Sequence, residues 1–181
     1  MKWIVMAWQS CDRQKMDIPI PGLTKYLQDR WPGVPLATCR ERFMAQVEKA
    51  LGCEEPFEIG DDCIKTTFLD IYSHTAVFPE SKAPVLEYND RDEDMPWAWK
   101  GDPSEEDWKY GGTVFEVQEC SNLDEARRAA KSLDKRCEKD ASDKTDIEAE
   151  DALTRLEQHW GNLMDKVPGL PVPREFPEKV A

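Results

Sequence analysis

Six cysteines and two histidines are the side chains of this chain best suited to covalent chemistry. A cysteine attacks as its thiolate, so it needs a base or a nearby positive charge to lower its pKa. Cys11 is followed by Asp12 and Arg13 at what reads as the end of a first strand. A small enzyme with its site there is one reading of the chain. Cys63 follows Asp61 and Asp62, whose charges push its thiol up, away from reactivity. Cys137 falls on the apolar stripe of a helix, and structural roles are expected for all six thiols. No pair has the C-x-x-C spacing of a structural zinc site. His74 sits in Ser73-His74-Thr75, but two-histidine phosphoester chemistry needs two His-x-Thr elements; His74-Thr75 lacks the spacer residue, and there is no second copy. His159 reads as a helix-flank residue. Asp61-Asp62 and Asp92-Glu93-Asp94 have the oxygens for a hard cation. The run from Asp90 nevertheless fails as a calcium loop, with Met95 where glycine is required and Gly101 where the bidentate acid should stand. No catalytic, cofactor-binding or metal-binding residue is therefore expected, and a non-enzyme is the favoured reading.

The chain's most distinctive stretch is residues 87–107. It carries nine acidic residues against two basic ones, together with Trp97 and Trp99, and it is followed by Trp108 and Tyr110. A disordered, solvated loop would leave the tryptophans unexplained, since exposed tryptophan is costly for solubility. Two further readings compete. The tryptophans fold back over the core while the acids face water, or they anchor a positively charged partner that the acids steer inward. Aromatic anchors ringed by charge fit protein interfaces, and an aromatic face also receives a Lys or Arg cation. On the second reading the partner-binding residues are Asp90, Asp92, Glu93, Asp94, Trp97, Trp99, Asp102, Glu105, Glu106, Asp107 and Trp108.

The charge is unevenly spread. Residues 87–107 carry a net −7 and residues 138–157 a net −5, so these two windows hold nearly all of the chain's −13. Concentrated negative charge repels nucleic acid and anionic membranes and attracts basic protein surfaces. Acids near a helix N-terminus also favour the helix dipole, which by itself would account for Asp143, Asp146, Glu148, Glu150 and Asp151. The first residues lack the apolar run of a signal peptide, and no stretch approaches the roughly 18 apolar residues of a membrane span. A cytoplasmic protein with free thiols is expected, and a disulfide framework is the weaker alternative.

Around these residues the elements read as follows. Residues 2–9 are apolar on both alternating faces, as in a strand covered on both sides. Leu23, Tyr26, Leu27 and Trp31 form one face of a short helix ended by Pro32-Gly33. Thr38 with Glu41 reads as a capping box opening a helix with the stripe Phe43, Met44, Val47 and Leu51, and Gly52 as its C′ residue. Residues 63–72 and 75–78 are expected as two strands, with a short third at Val85-Leu86. Residues 87–110 show no period and read as a long loop. Residues 113–119 read as a strand. Ser121 with Asp124 then caps a helix striped by Leu123, Ala126, Ala130, Leu133 and Cys137. Acidic residues separate it from a last helix striped by Leu153, Leu156, Trp160, Leu163, Met164 and Val167 and ended by Pro168-Gly169.

The expected architecture is α+β: a small mixed or antiparallel sheet of about four to five strands, with helices mainly on one face and a weakly ferredoxin-like element order. The length suits one domain over residues 1–168, with 87–110 as the acidic-aromatic loop and 169–181 as an extended, proline-containing tail.

In composition alone the chain resembles small, acidic, phage-encoded inhibitors of bacterial defence systems, anti-CRISPR proteins among them. That resemblance implies an inhibitor that binds a basic protein or nucleoprotein complex, placing carboxylates where phosphates would sit, with no cofactor and no direct contact with nucleic acid or membrane. A structural subunit of a larger assembly is the other alternative, with the stripe Leu153–Val167 turned toward a neighbour.

Overall fold

A computed structural model describes residues 1–84, 86–88, 97–99 and 113–174. The elements run β1 (Trp3–Pro19), α1 (Leu23–Arg30), α2 (Leu36–Leu51), β2 (Glu58–Gly60), β3 (Cys63–Pro79), β4 (Leu86–Tyr88), β5 (Trp97–Trp99), β6 (Thr113–Cys120) and α3 (Leu123–Lys166). Four strands form an antiparallel sheet in the order β2-β3-β1-β6, and the fold is α+β with helix packed on sheet. Residues divide into two compact units, Met1–Asp12 with Leu69–Asp146, and Arg13–Phe68 with Ile147–Ala181. β1, β3 and α3 each contribute to both.

In the first unit β1 is central and covered on both sides, as its sequence requires. Val5, Met6, Ala7 and Trp8 are all buried. Val5 and Ala7 join Cys120 of β6 and Ala126, Leu133 and Cys137 of α3 in one cluster. Met6 and Trp8 join Val114 in another, with Ala76 and Phe78 packed against them. This split follows the two-residue alternation of a strand. The pairing of β1 with β6 slips once, with Ala7 opposite Glu116 and Trp8 opposite Val114, so one extra residue of β6 is accommodated as a bulge.

The second unit has the larger core. Ile18 and Ile20 meet Leu23 and Leu27 of α1, Cys39, Phe43 and Val47 of α2, and Leu156, Trp160 and Leu163 of α3. Trp160 lies 6.0 Å from Phe57, ring to ring, and its indole N–H donates to the Pro171 carbonyl at 3.2 Å. Leu170 is buried in the same cluster, so the start of the proline-containing tail is tied to this core. Residues 175–181 of that tail lie outside the described residues.

Several boundaries differ from the sequence reading. β1 continues ten residues past Gln9: residues 11–15 are exposed, and beyond them Met16 and Ile18 reach the core of the second unit. Cys11, Asp12 and Arg13 are therefore mid-strand and exposed, not at a strand end. β3 is one strand of 17 residues where two were expected. α2 opens at Leu36, after Pro35, and Thr38 makes no capping bond. Its first closing bond runs from Cys39 N–H to Pro35 C=O at 3.0 Å, one turn ahead of the proposed box. Gly52 does occupy the left-handed position at φ 70°, which glycine adopts without a Cβ penalty. α3 is capped one residue later than expected. The Asn122 side chain accepts from Glu125 N–H at 2.8 Å, and the Glu125 carboxylate accepts from Ser121 N–H at 2.9 Å.

The largest correction is α3 itself, a single helix of 44 residues where two were expected. Neither glycine nor proline occurs between Leu123 and Trp160, so nothing in the backbone stops it. The acidic stretch supports helix through i,i+4 ion pairs, Lys139 with Asp143 at 2.8 Å and Asp140 with Lys144 at 3.0 Å. The expected loop at 87–110 also begins and continues with strand. β4 and β5 pair antiparallel, with Leu86 opposite Trp99 and Tyr88 opposite Trp97. Three residues are too few to show a period, although Trp-Ala-Trp suits a strand by propensity.

Candidate functional site: an acidic groove beside a strand edge

β2 pairs with β3 only through residues 63–65 of β3. From Thr66 onward the outer edge of β3 has no strand partner among the described residues. An uncovered edge presents a row of N–H and C=O groups. At Ile71 that edge is closed by one side chain of α3. The Thr145 hydroxyl accepts from Ile71 N–H at 2.8 Å and lies 3.1 Å from Ile71 C=O. It is also 3.5 Å from an Asp70 carboxylate oxygen. Further along the strand, the Thr75 hydroxyl donates to Asp134 at 3.0 Å.

Between these two contacts lies a groove of about 500 Å³ within the first unit, walled by residues 70–73 of β3 and by α3 from Asp134 to Asp146. Asp70, Asp134, Glu138 and Asp146 line it together with Tyr72 and Ser73, and its described lining holds no lysine or arginine. Asp134, Glu138 and Asp146 stand at i, i+4 and i+12 on α3, one row along a helix face, with Ser142 filling the missing step. Steps of four residues advance about 6 Å along the axis.

α3 is held at this place by a polar node on its other side. Gln9, buried in the sheet, donates to Asp140 at 2.8 Å and to the Cys137 carbonyl at 3.4 Å, and accepts from the Lys144 ammonium at 2.9 Å. Burial works against the Asp140 charge, but the bonds from Gln9 and Lys144 outweigh it and hold its carboxyl below the usual range. Arg136 meets Glu116 of β6 through two bonds, at 3.0 and 2.7 Å. The bonds from Arg136 and Gln118 lower the Glu116 pKa to about 2. Lys139, Lys144 and Arg136 are thus each engaged with an acid outside the groove lining.

The residues singled out in the sequence fall differently. Asp90, Asp92, Glu93, Asp94, Asp102, Glu105, Glu106, Asp107 and Trp108 lie outside the described residues, and Trp97 and Trp99 are described by backbone alone, in β5. Of the second acidic window, Glu138 and Asp146 line the groove. Its acids are not at a helix N-terminus, since α3 begins at Leu123, so the helix dipole does not account for them; its effect fades within the first turn. Asp70, Tyr72, Ser73 and Asp134 went unrecognised. The i,i+4 row from Asp134 was the available signal, hidden by the assumption of a break in the helix.

His74 is spent on aromatic packing, stacked on Trp8 at 5.2 Å and edge-on to Tyr72 at 5.3 Å, and His159 is half-buried on α3. All six cysteines are free thiols. Burial, with help from Asp17 and Asp61, pushes the Cys63 thiol up, and burial does the same to Cys137 and Cys120. No family model, curated protein or solved structure matches this chain. Among the described residues, no group of three or more His, Cys, Asp or Glu is placed to hold a metal ion, and no helix is long and apolar enough to cross a membrane. A smaller groove in the second unit, about 180 Å³, is bordered by Lys15, Glu58 and Lys65, and Lys15 and Glu58 are already paired at 2.9 Å.

Proposed function

We propose that this protein is a cytoplasmic, non-enzymatic inhibitor that binds a basic, nucleic-acid-binding surface of a partner protein or complex, as an anti-defence protein of the anti-CRISPR type would. The observation that carries this reading is the groove: four carboxylates on rigid elements with no cation in its described lining. Its row on α3 advances in steps of about 6 Å or more, sparser than the one phosphate per roughly 3.4 Å of a nucleic-acid strand. The imitation is therefore of sign and linear arrangement, not phosphate by phosphate. The acidic stretch 87–107 is a second negative segment of the sequence.

The alternatives have less support. A site at Cys11 needs a strand end, and Cys11 is exposed in the middle of β1. A structural subunit was to turn Leu153–Val167 outward, but Leu156, Trp160 and Leu163 are buried in the second unit's own core.

The test is binding of the full chain to basic nucleic-acid-binding complexes at rising salt, with nucleic acid as competitor. Affinity should fall with salt, with competitor, and with charge reversal either at Asp92, Glu93 and Asp94 or at Asp134 and Glu138. Affinity indifferent to salt and to both reversals sinks the proposal.

A further inference from the structure

The groove has a second property that charge does not supply: one of its walls is a strand edge with no partner strand among the described residues. We infer that it accepts an extended basic peptide segment, which adds to the outer edge of β3 as a further strand. This rests on the reading that the partner is basic, and it assigns the part of the partner that the groove would hold.

Three observations converge. β2 covers β3 only as far as Lys65, so the edge beside the groove is open among the described residues. Alternate residues of a strand turn their peptide groups to the same edge. Ile71 bonds outward to Thr145, so Ser73 and Thr75 present theirs on that side as well. α3 runs beside this edge, so a strand added there would take affinity from main-chain bonds and specificity from the helix face. Here that face carries Asp134, Glu138 and Asp146. Charge complementarity then selects lysine or arginine at alternate positions of the guest, the positions that a strand turns to one side. Thr145 acts as a stop, because it already occupies the peptide groups of Ile71. The guest pairs from Ser73 onward.

The experiment titrates the full chain with a short peptide alternating lysine with threonine, with its counterpart carrying glutamate in place of lysine, and with the lysine peptide N-methylated at alternate residues. N-methylation keeps every charge and removes the main-chain donors. The lysine peptide should bind and protect the Ser73 amide from hydrogen exchange, and the glutamate peptide should not bind. N-methylation in one of the two possible registers should weaken binding by about tenfold or more, as expected for several lost hydrogen bonds. Glu138→Lys, at an exposed position, should weaken it comparably. Equal binding by the lysine peptide and both N-methylated forms overturns strand addition and leaves the basic-partner reading intact. No binding by any peptide, while the full chain still binds a basic complex in a salt-dependent way, overturns the inference alone. Self-association of the chain that protects Ser73 without peptide also overturns it, because the edge then serves a second copy.

Discussion

Thr145 Oγ1 lies 2.8 Å from Ile71 N and 3.1 Å from Ile71 O. One hydroxyl of α3 thus serves both peptide groups of a residue on a strand edge that is otherwise uncovered among the described residues. It does in one place what a neighbouring strand would do, and it ties α3 to β3 at the end of the acidic groove.

Replacing Thr145 with valine keeps the shape and removes the hydroxyl. Two partly buried peptide groups then lose their partner, which costs about 1–3 kcal/mol of stability. Thr145→Ser should retain most of it. Chemical denaturation of the two variants checks this, and equal stability for valine and threonine would show that water replaces the hydroxyl at no cost.

Glu116 gives a pH prediction. Its folded pKa, about 2, lies below the ordinary 4.5, chiefly through the bonds from Arg136 and Gln118. A depressed carboxyl stabilises the fold above its unfolded pKa. That contribution is lost as the pH falls from about 4.5 towards 2. Both partners are about a third or more exposed, 35% for Glu116 and 49% for Arg136, so solvent screening keeps the effect small. Glu116→Gln should flatten the stability profile in that window and leave the slope near neutrality unchanged, as denaturation midpoints across the acid range would record.

What was legible in the sequence follows from where the physical signal is local. The doubly covered strand at Val5–Trp8, the stripe of α2 and the stripe at Leu156, Trp160 and Leu163 could be read directly, because burial imposes its period on neighbouring residues. Gly52 was legible because only glycine adopts its conformation cheaply. The cap of α2 was misplaced by three residues, at Thr38 where Pro35 opens the helix with no side-chain cap, and that of α3 by one, since Ser and Asn compete for a role that backbone context decides. The groove was only half legible. Glu138 and Asp146 stood out by charge, but Asp70 and Ser73 reach the site through long-range placement of β3 beside α3, which no local spacing records.

Trp160 gives a core prediction. It is almost fully buried, packs near Phe57, and ties down Pro171. Trp160→Ala should cost about 3–5 kcal/mol. Trp160→Phe should cost less, because it keeps most of the volume and loses the bond to the Pro171 carbonyl. Hydrogen exchange at Leu170 should rise in both variants.

Asp143 decides between one helix and two. It is exposed and pairs only locally, with Lys139 at 2.8 Å among the contacts recorded for it. Asp143→Ala should therefore change stability by at most about 0.5 kcal/mol, the scale of an i,i+4 pair. Asp143→Pro is a different matter. In a linker between two helices proline would be tolerated, whereas within a continuous helix it removes a backbone bond and clashes with the preceding turn, at a cost of about 3 kcal/mol or more. Circular dichroism and thermal unfolding of the two variants separate the cases. A proline variant as stable and as helical as the alanine variant would restore the break that the acidic stretch first suggested, and with it dissolve the row formed by Asp134, Glu138 and Asp146. A large loss confined to the proline variant would mean that the row is built on one rigid element, as a groove for a charged partner requires.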